Sequence, residues 1–188
     1  YVIEYTGDAI RRLSMEARMT ICNMSIEAGA RAGLISPDET TFDYLEGRPL
    51  LPKGRSAGAL RAEWAARASD PDCSYDKVVE LDAASIEPQV TWGTSPEMVT
   101  GIKGTVPVLE AMEDTDKRNA YAKAMSYMGL EPGTPMEAIA LDIVFIGSCT
   151  NGRLEDLRQA ARVLRGYTKA DSVKQVLVVP GSQIVKRQ

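Results

Sequence analysis

The chain has 188 residues, with 22 lysines and arginines against 26 aspartates and glutamates, no histidine and three cysteines. Its net charge of -4 at pH 7 argues against nucleic acid or an anionic membrane surface as a partner, since both attract cationic proteins. Without histidine, the chain alone cannot form a Ser-His-Asp triad, a Cys-His pair or a histidine-ligated zinc site.

The start of the chain predicts a strand followed by helix. Apolar residues at helical spacing indicate one helix from a cap at Asp8 to a point near Gly33. Ser14 offers a second cap, so a short helix followed by a longer one is equally compatible with the pattern. The first residue, Tyr1, is not an initiator methionine, and we therefore expect the chain to be a piece of a longer protein.

The pattern then loosens into loops. A short helix or strand is predicted around residues 41–45, and a helix over 57–68. Pro71 ends this region, because proline cannot continue the backbone hydrogen bonding of a helix. We place a domain boundary near residue 72, so that residues 1–72 and 73–188 are parts of two adjacent domains.

The second half alternates between strand and helix patterns. Short apolar runs separated by helices indicate a parallel sheet covered by helices on both faces, and hence an α/β, doubly wound fold. The predicted strands are 78–81, 143–146 and 176–179, with 87–93 extended and rich in turns, and the predicted helices are 117–128 and 154–164. The inward faces are predicted as Ala120, Ala124, Tyr127 and Met128 on the first helix, with Gly129 as its C-cap, and as Leu154, Leu157, Ala161 and Leu164 on the second.

The cysteines indicate a reducing compartment. Cys22, Cys73 and Cys149 form no C-x-x-C pair, and their odd number does not suggest a disulfide framework. No apolar run approaches the roughly 20 residues of a membrane span, and the first residues do not resemble a signal peptide. We therefore expect a soluble, cytoplasmic protein.

The turn between strand 143–146 and helix 154–164 is the first candidate site. In an open parallel sheet, ligands bind beyond the carboxyl ends of the strands. Gly147 and Gly152 permit a tight backbone in this turn, and Thr150 or Asn151 can cap the helix that follows. The turn at Gly181-Ser182 follows the next strand and is expected to form another wall of the same crevice.

Cys149 lies within this turn. Backbone N–H groups and the positive end of a helix favour an anion, so a thiolate here would act as a metal ligand or a nucleophile. The alternative is a buried small side chain with no chemical role, because free cysteine is among the most buried residue types.

Asn23 and Glu27 form the second candidate site. They are four residues apart and therefore share a face of the predicted helix, where an amide and a carboxylate can form one polar site. The alternative is a solvated helix surface, since Glu27 and Arg31 are also four apart and can form an ordinary ion pair.

Four ordered segments resemble the aconitase superfamily and span nearly the whole chain. Gln89–Thr94 and Tyr127–Leu130 most resemble the branch of 3-isopropylmalate dehydratase large subunits. The resemblance implies three-layer, doubly wound α/β domains. The four segments are Thr20-Ile21-Cys22-Asn23-Met24 with Glu27, Pro88–Thr94, Phe145–Asn151 and Val179-Pro180-Gly181-Ser182.

The resemblance implies a [4Fe–4S] hydro-lyase of leucine biosynthesis, which isomerises 2-isopropylmalate and 3-isopropylmalate through an alkene. A hydroxy-dicarboxylate would be the substrate, and a separate small subunit the partner. Cys149 matches one of three cluster cysteines, and the other two would lie beyond Gln188. This piece alone would therefore hold no cluster and be inactive.

Further site residues follow from the same resemblance. Asn23 matches an asparagine close to the cluster, and Glu27 matches a glutamate that hydrogen-bonds the iron-bound water. Ser148, Thr150 and Asn151 would lie near the cluster. Two alternatives remain: an aconitase-type paralogue that acts on homocitrate or citrate, and a non-catalytic thiol-sensing α/β module.

Overall fold

A computed structural model describes all 188 residues, which form two compact units. Unit 1 comprises Tyr1–Val79, Ile143–Ala170 and Gln175–Gln188, and unit 2 comprises Glu80–Asp142 and Asp171–Lys174. The helices are α1 (Asp8–Arg11), α2 (Met15–Met24), α3 (Glu39–Leu45), α4 (Ala57–Ala65), α5 (Thr115–Met128), α6 (Leu154–Leu164) and α7 (Gln183–Arg187). The strands are β1 (Ile3–Glu4), β2 (Gly33–Leu34), β3 (Gln89–Thr91), β4 (Val99–Gly101), β5 (Ile143–Ile146) and β6 (Gln175–Val178).

The α/β class is confirmed, as helices combined with three two-stranded sheets. β1 pairs with β2 in parallel, β3 with β4 antiparallel, and β5 with β6 in parallel. No helix is both long enough and apolar enough to cross a bilayer. The division at residue 72 concerns the domains of a longer protein and stays a prediction.

The N-terminal helical segment is two helices, as the cap at Ser14 predicted. The Ser14 hydroxyl accepts a hydrogen bond from the Ala17 N–H at the start of α2. The prediction of Asp8 as a cap is wrong, because Gly7 occupies the cap position and Asp8 is already helical. The prediction of a helix end near Gly33 is also wrong, since α2 ends at Met24.

Ser25 explains why α2 ends early. Its side chain is fully buried, and its hydroxyl donates to the Ile21 carbonyl and contacts the Tyr5 hydroxyl. Such side-chain bonds to the backbone compete with helix continuation. The chain then turns back so that β2 lies beside β1, and a side chain at Gly33 would overlap the Ser25 hydroxyl.

Arg18 is the main buried charge of unit 1. Its guanidinium donates to both carboxylate oxygens of Asp38, at 2.6 and 2.8 Å, and to the carbonyl oxygens of Leu13 and Arg11. Asp38 also caps α3 by accepting from the Thr41 N–H, and its pKa is lowered chiefly by the hydrogen bond from Arg18. One arginine therefore joins α2, α3 and the turn before α2.

The predicted helix over 57–68 corresponds to α4, which ends at Ala65 and leaves Ala68 exposed. Leu60 is buried, and Trp64 stacks on Phe42 of α3 with ring centroids 6.1 Å apart. The segment predicted as a short helix or strand around 41–45 lies within α3 and is therefore helical.

The segment from β5 through α6 to β6 is a βαβ unit. The predictions for β5 and α6 are confirmed residue for residue, and β6 begins one residue before its predicted start. The sheet was expected to be covered by helices on both faces. This prediction is wrong for β5 within these residues, because Ile143 and Phe145 are exposed. The expected inward face of α6 is half right: its first two predicted residues are half-buried, whereas Ala161 and Leu164 are exposed.

Unit 2 is built around one apolar core. Trp92, from the turn after β3, packs edge-on against Tyr121 of α5, with centroids 5.0 Å apart. The buried members of the core are Trp92, Met98, Val106, Tyr121, Ala124, Met125 and Met136. Three-residue 3₁₀ turns at Leu109–Ala111 and Met136–Ala138 link its segments.

Two predictions in the second half need correction. The segment 78–81 is not a strand, and its apolar side chains are exposed, because it pairs with no other strand. The cap of α5 at Gly129, with φ +67°, is confirmed, but its buried face is Tyr121, Ala124 and Met125. Ala120, Tyr127 and Met128 are exposed, since the face turned to Trp92 is the one that carries Tyr121.

Candidate site at the Cys149 turn

The turn between β5 and α6 presents Cys149 to solvent. The cysteine is a free thiol and exposed, so the alternative of a buried side chain is wrong. Gly147 has a φ of +122°, and a side chain there would overlap the Val179 carbonyl. The turn therefore needs a glycine before the Ser148-Cys149 pair.

The turn after β6 packs directly against the Cys149 turn, as the sequence predicted. The Gly181 N–H donates to the Gly152 carbonyl at 2.8 Å. A side chain at Gly152 would overlap the Ser148 carbonyl and would lie 2.8 Å from the Gly181 nitrogen. Gly152 and Gly181 thus allow the backbones of the two turns to contact each other directly, and this contact holds the Cys149 turn in place.

The cap of α6 differs from the prediction of Thr150 or Asn151. Arg153 occupies the cap position, and its N–H donates to the Asp156 carboxylate at 3.0 Å. The Asn151 N–H instead donates to the Ser148 hydroxyl at 2.8 Å, inside the turn. Thr150 and Asn151 do not cap the helix because their side chains reach across to α2.

Helix α2 is joined to the turn by two amide side chains. The Asn23 amide donates to the Thr150 hydroxyl at 2.9 Å, and the Asn151 amide donates to the Thr20 hydroxyl at 3.2 Å. The four residues thus form a crossed pair of hydrogen bonds between α2 and the residues after Cys149. The structure brings Asn23 to the Cys149 turn, as the two sequence segments suggested.

Arg153 adds a cation to this junction. Its guanidinium donates to the Thr150 carbonyl at 2.6 Å, and lies 3.4 Å from the Glu16 carbonyl and 3.5 Å from the Thr20 hydroxyl. Sequence reasoning assigned no role to Arg153 or Thr20. Their positions, two residues after Asn151 and two residues before Cys22, are the signal that was available.

A pair of carboxyl groups lies beside the junction. A hydrogen bond between the Glu16 and Glu155 carboxyls, together with burial, raises the pKa of Glu155. The Ser14 hydroxyl donates to Glu155 at 3.1 Å and acts in the opposite direction. The first turns of α2 and α6 are therefore in contact through polar groups.

Glu27 does not share a helix face with Asn23, so that prediction is wrong. The helix ends at Met24, and Glu27 is exposed in the turn that follows. It forms no ion pair with Arg31 and no hydrogen bond with the Cys149 turn. Its proposed part in the chemistry stays a prediction.

The donor set at this turn fits one ligand of an iron–sulfur cluster. Such clusters are held by cysteine thiolates, and Cys149 supplies one exposed thiol, 3.8 Å from the Thr150 hydroxyl. No group of three or more His, Cys, Asp or Glu residues in the chain could hold a metal ion. The residues present would supply one ligand of such a cluster.

The other cysteines lie in different surroundings. Cys22 is half-buried in α2, and burial raises the pKa of its thiol, which disfavours the thiolate. Cys73 is exposed and lines a cleft of about 370 Å³. There, hydrogen bonds with Cys73 and Glu4 raise the pKa of Tyr75 to about 12.

Comparison with known proteins shows the family to which the chain belongs. The sequence profile described as Aconitase family (aconitate hydratase) matches residues 1–188, the whole chain. The 3-isopropylmalate dehydratase large subunit of Bifidobacterium longum subsp. infantis is 54% identical over 188 residues. These residues are 100% of this chain, which spans about 40% of the length of that relative. The resemblance carried by the four sequence segments is confirmed, and the chain belongs to the aconitase family.

Proposed function

We propose that this chain is part of the large subunit of a 3-isopropylmalate dehydratase. The complete enzyme would interconvert 2-isopropylmalate and 3-isopropylmalate by removing and re-adding water, in leucine biosynthesis. One observation carries this proposal: the 54% identity over all 188 residues to a large subunit of that name.

Cys149 is the proposed cluster ligand of this chain, and the two further cysteine ligands would lie beyond Gln188. A [4Fe–4S] cluster held there would supply Lewis-acid chemistry for the loss of a hydroxyl group. The exposed thiol on a glycine-fixed turn supports this role, because a ligand needs access as well as a fixed position. Ser148, Thr150 and Asn151 would surround it.

Glu27 and Asn23 are the proposed catalytic residues. A carboxylate can accept a proton at a substrate carbon or oxygen and return it, and Glu27 is exposed in the turn after α2. The Asn23 amide donates to Thr150, which leaves its carbonyl oxygen free to accept a hydrogen bond from a hydroxy acid.

The partner proposed for the complete enzyme is a small subunit, which the words "large subunit" in the relative's name support. The substrate would be a small hydroxy-dicarboxylate, and the compartment the cytoplasm. The exposure of Cys149 also suits a second candidate function, a thiol sensor in which this residue reacts directly.

The full-length large subunit, combined with its small subunit, tests the proposal. We expect the enzyme to form an alkene from isopropylmalate and not from homocitrate or citrate. Ultraviolet absorbance of the alkene measures this reaction. Glu27→Gln should lower kcat by about 100-fold or more, the usual contribution of a general acid or base. Glu137→Gln, which changes an exposed carboxylate of unit 2, is the matched control.

Three results would contradict the proposal. Turnover of homocitrate or citrate alone would indicate a paralogue. Alkylation of Cys149 in a protein that never binds iron would favour the thiol sensor. Unchanged kcat in Glu27→Gln would remove that residue from the chemistry.

A further inference from the structure

We propose that Arg153 is a positioning residue, whose guanidinium holds the Cys149 turn against α2 and thereby fixes the thiolate of Cys149 where the cluster binds. This inference rests on the proposed function for its cluster, but its contacts belong to this chain alone. Arg153 touches neither the thiol nor the predicted catalytic residues, so it would act through the backbone of the turn.

The shortest contact of Arg153 is to the residue after Cys149. Its Nη1 donates to the Thr150 carbonyl at 2.6 Å, a charge-assisted hydrogen bond of the stronger kind. Arg153 is also the N-cap of α6, where its N–H donates to the Asp156 carboxylate. Its guanidinium therefore joins the turn to the start of a regular helix, which restricts the motion of the turn.

The same nitrogen faces α2. It lies 3.4 Å from the Glu16 carbonyl and 3.5 Å from the Thr20 hydroxyl, so both of these weaker contacts converge on one donor group. This nitrogen carries two N–H donors, so it can donate to the Thr150 carbonyl and to one of the two α2 acceptors at a time. Arg153 therefore contacts the turn and α2 together.

The two amide links between α2 and the turn are more exposed. The bonds from Asn23 to Thr150 and from Asn151 to Thr20 join uncharged side chains, and both asparagines are exposed to water. Neutral hydrogen bonds in such places contribute little net stability, because water competes for the same groups. Arg153 is half-buried, and its contact with the turn is shorter than either of these.

Cys149 has almost no support of its own. Its thiol forms one hydrogen bond, with the Thr150 hydroxyl at 3.8 Å, so the position of the sulfur depends chiefly on the backbone that carries it. Residues that orient a metal ligand without binding the metal themselves typically change metal affinity by about 10- to 100-fold when they are substituted. Loss of Arg153 should therefore weaken iron retention while the cysteine itself remains.

The first test uses the full-length large subunit without its cluster. Arg153→Met should increase the amide hydrogen exchange of peptides covering residues 147–153 by about tenfold or more, because the Thr150 carbonyl loses a hydrogen bond from a charged donor. Arg153→Lys keeps the charge and one donor to the Thr150 carbonyl, and should restore most of the protection. Arg158→Met is the matched control, because Arg158 lies exposed on the same helix and its side chain forms no hydrogen bond.

The second test uses the reconstituted full-length enzyme. The rate of iron loss to a chelator, followed by the visible absorbance of the cluster, should rise by roughly 10- to 100-fold in Arg153→Met. It should stay unchanged in Arg158→Met and be intermediate in Arg153→Lys. Circular dichroism should show that helix content is retained in all three variants.

The outcomes separate the two proposals. Equal exchange and equal iron loss in Arg153→Met and the unaltered enzyme would overturn the role of Arg153. A rise in exchange without faster iron loss would also overturn it, because the turn would then be mobile without consequence for the ligand. If the unaltered enzyme never binds a cluster, the proposed function fails. The exchange test still stands in that case, because unchanged exchange in Arg153→Met would by itself refute the role of Arg153 in holding the turn.

Discussion

The core of unit 2 and the Cys149 turn of unit 1 are stabilised by different kinds of interaction. In unit 2, Trp92, Val106 and Tyr121 are buried against other apolar side chains. At the Cys149 turn, the contacts are hydrogen bonds from Asn23 and Arg153, and the cysteine itself is exposed. One region gains its stability from burial, and the other gains a defined geometry from polar contacts.

This difference predicts that substitutions in the two regions have separable effects. Loss of an apolar core side chain should lower the free energy of unfolding and leave the geometry of the turn unchanged. Loss of a polar contact in unit 1 should alter both local stability and the turn. The following predictions test that separation, from the largest expected effect to the smallest.

Trp92→Ala should have the largest effect on stability. Trp92 is 3% exposed and packs against Tyr121, and truncation of such a side chain costs about 3–5 kcal/mol. The free energy of opening of α5, measured by hydrogen exchange in the full-length enzyme, should fall by that amount. Iron retention at Cys149 should not change.

Trp92→Phe is the matched control. The Trp92 N–H is buried without a hydrogen-bond partner, and leaving such a group unsatisfied costs about 1–3 kcal/mol. Phenylalanine keeps the ring contact with Tyr121 and removes this penalty, so it should be much less destabilising than alanine. An equal loss in both variants would show that ring packing is not what stabilises unit 2.

Arg18→Met should have the next largest effect and should act on unit 1. The substitution leaves Asp38 without its charge partner and the carbonyls of Leu13 and Arg11 without their donor. Asp38 is 34% exposed and stays partly hydrated after the loss of Arg18, so the cost is about 1–3 kcal/mol. Exchange of the α2 amides should increase, and iron should be lost faster, because α2 carries Asn23. Iron loss at the unaltered rate would contradict the coupling of α2 to the turn.

The pair also predicts a smaller, pH-dependent effect. Arg18 holds the pKa of Asp38 below its ordinary value of 3.8, so its contribution is complete above that pH. It is lost as the pH falls through the lowered pKa. The stability of α2 should therefore decline on acidification in the unaltered enzyme, and less so in Arg18→Met. Parallel pH profiles in the two proteins would contradict this assignment.

The sequence predicted the elements that are determined by neighbouring residues, and missed those that depend on contacts between residues far apart in the chain. β5, α6 and the Gly129 cap were predicted correctly, because apolar runs and a C-terminal glycine are determined within a few residues. The end of α2 was not, because it depends on Ser25, whose partner Tyr5 lies 20 residues away in sequence. The inward face of α5 likewise depends on where Trp92 sits, which helical spacing alone does not reveal.

The same distinction applies to the candidate site. The exposed Cys149 turn and its contact with Gly181 followed from strand-then-turn geometry. The contacts of Arg153 with α2 could not be predicted, since these acceptors lie more than 130 residues away in sequence. The separation of Glu27 from Asn23 followed from the early end of α2, which periodicity missed.

The most direct test is cluster assembly in cysteine variants of the full-length enzyme. Cys149→Ser should abolish the visible iron–sulfur absorbance after reconstitution with iron and sulfide, because serine removes the thiolate ligand that this chain provides. Cys22→Ser and Cys73→Ser should assemble the cluster normally, since one thiol is half-buried and the other lies in a separate cleft. A stoichiometric cluster in Cys149→Ser, or its loss in either of the other two, would contradict the assignment of Cys149 as the cluster ligand.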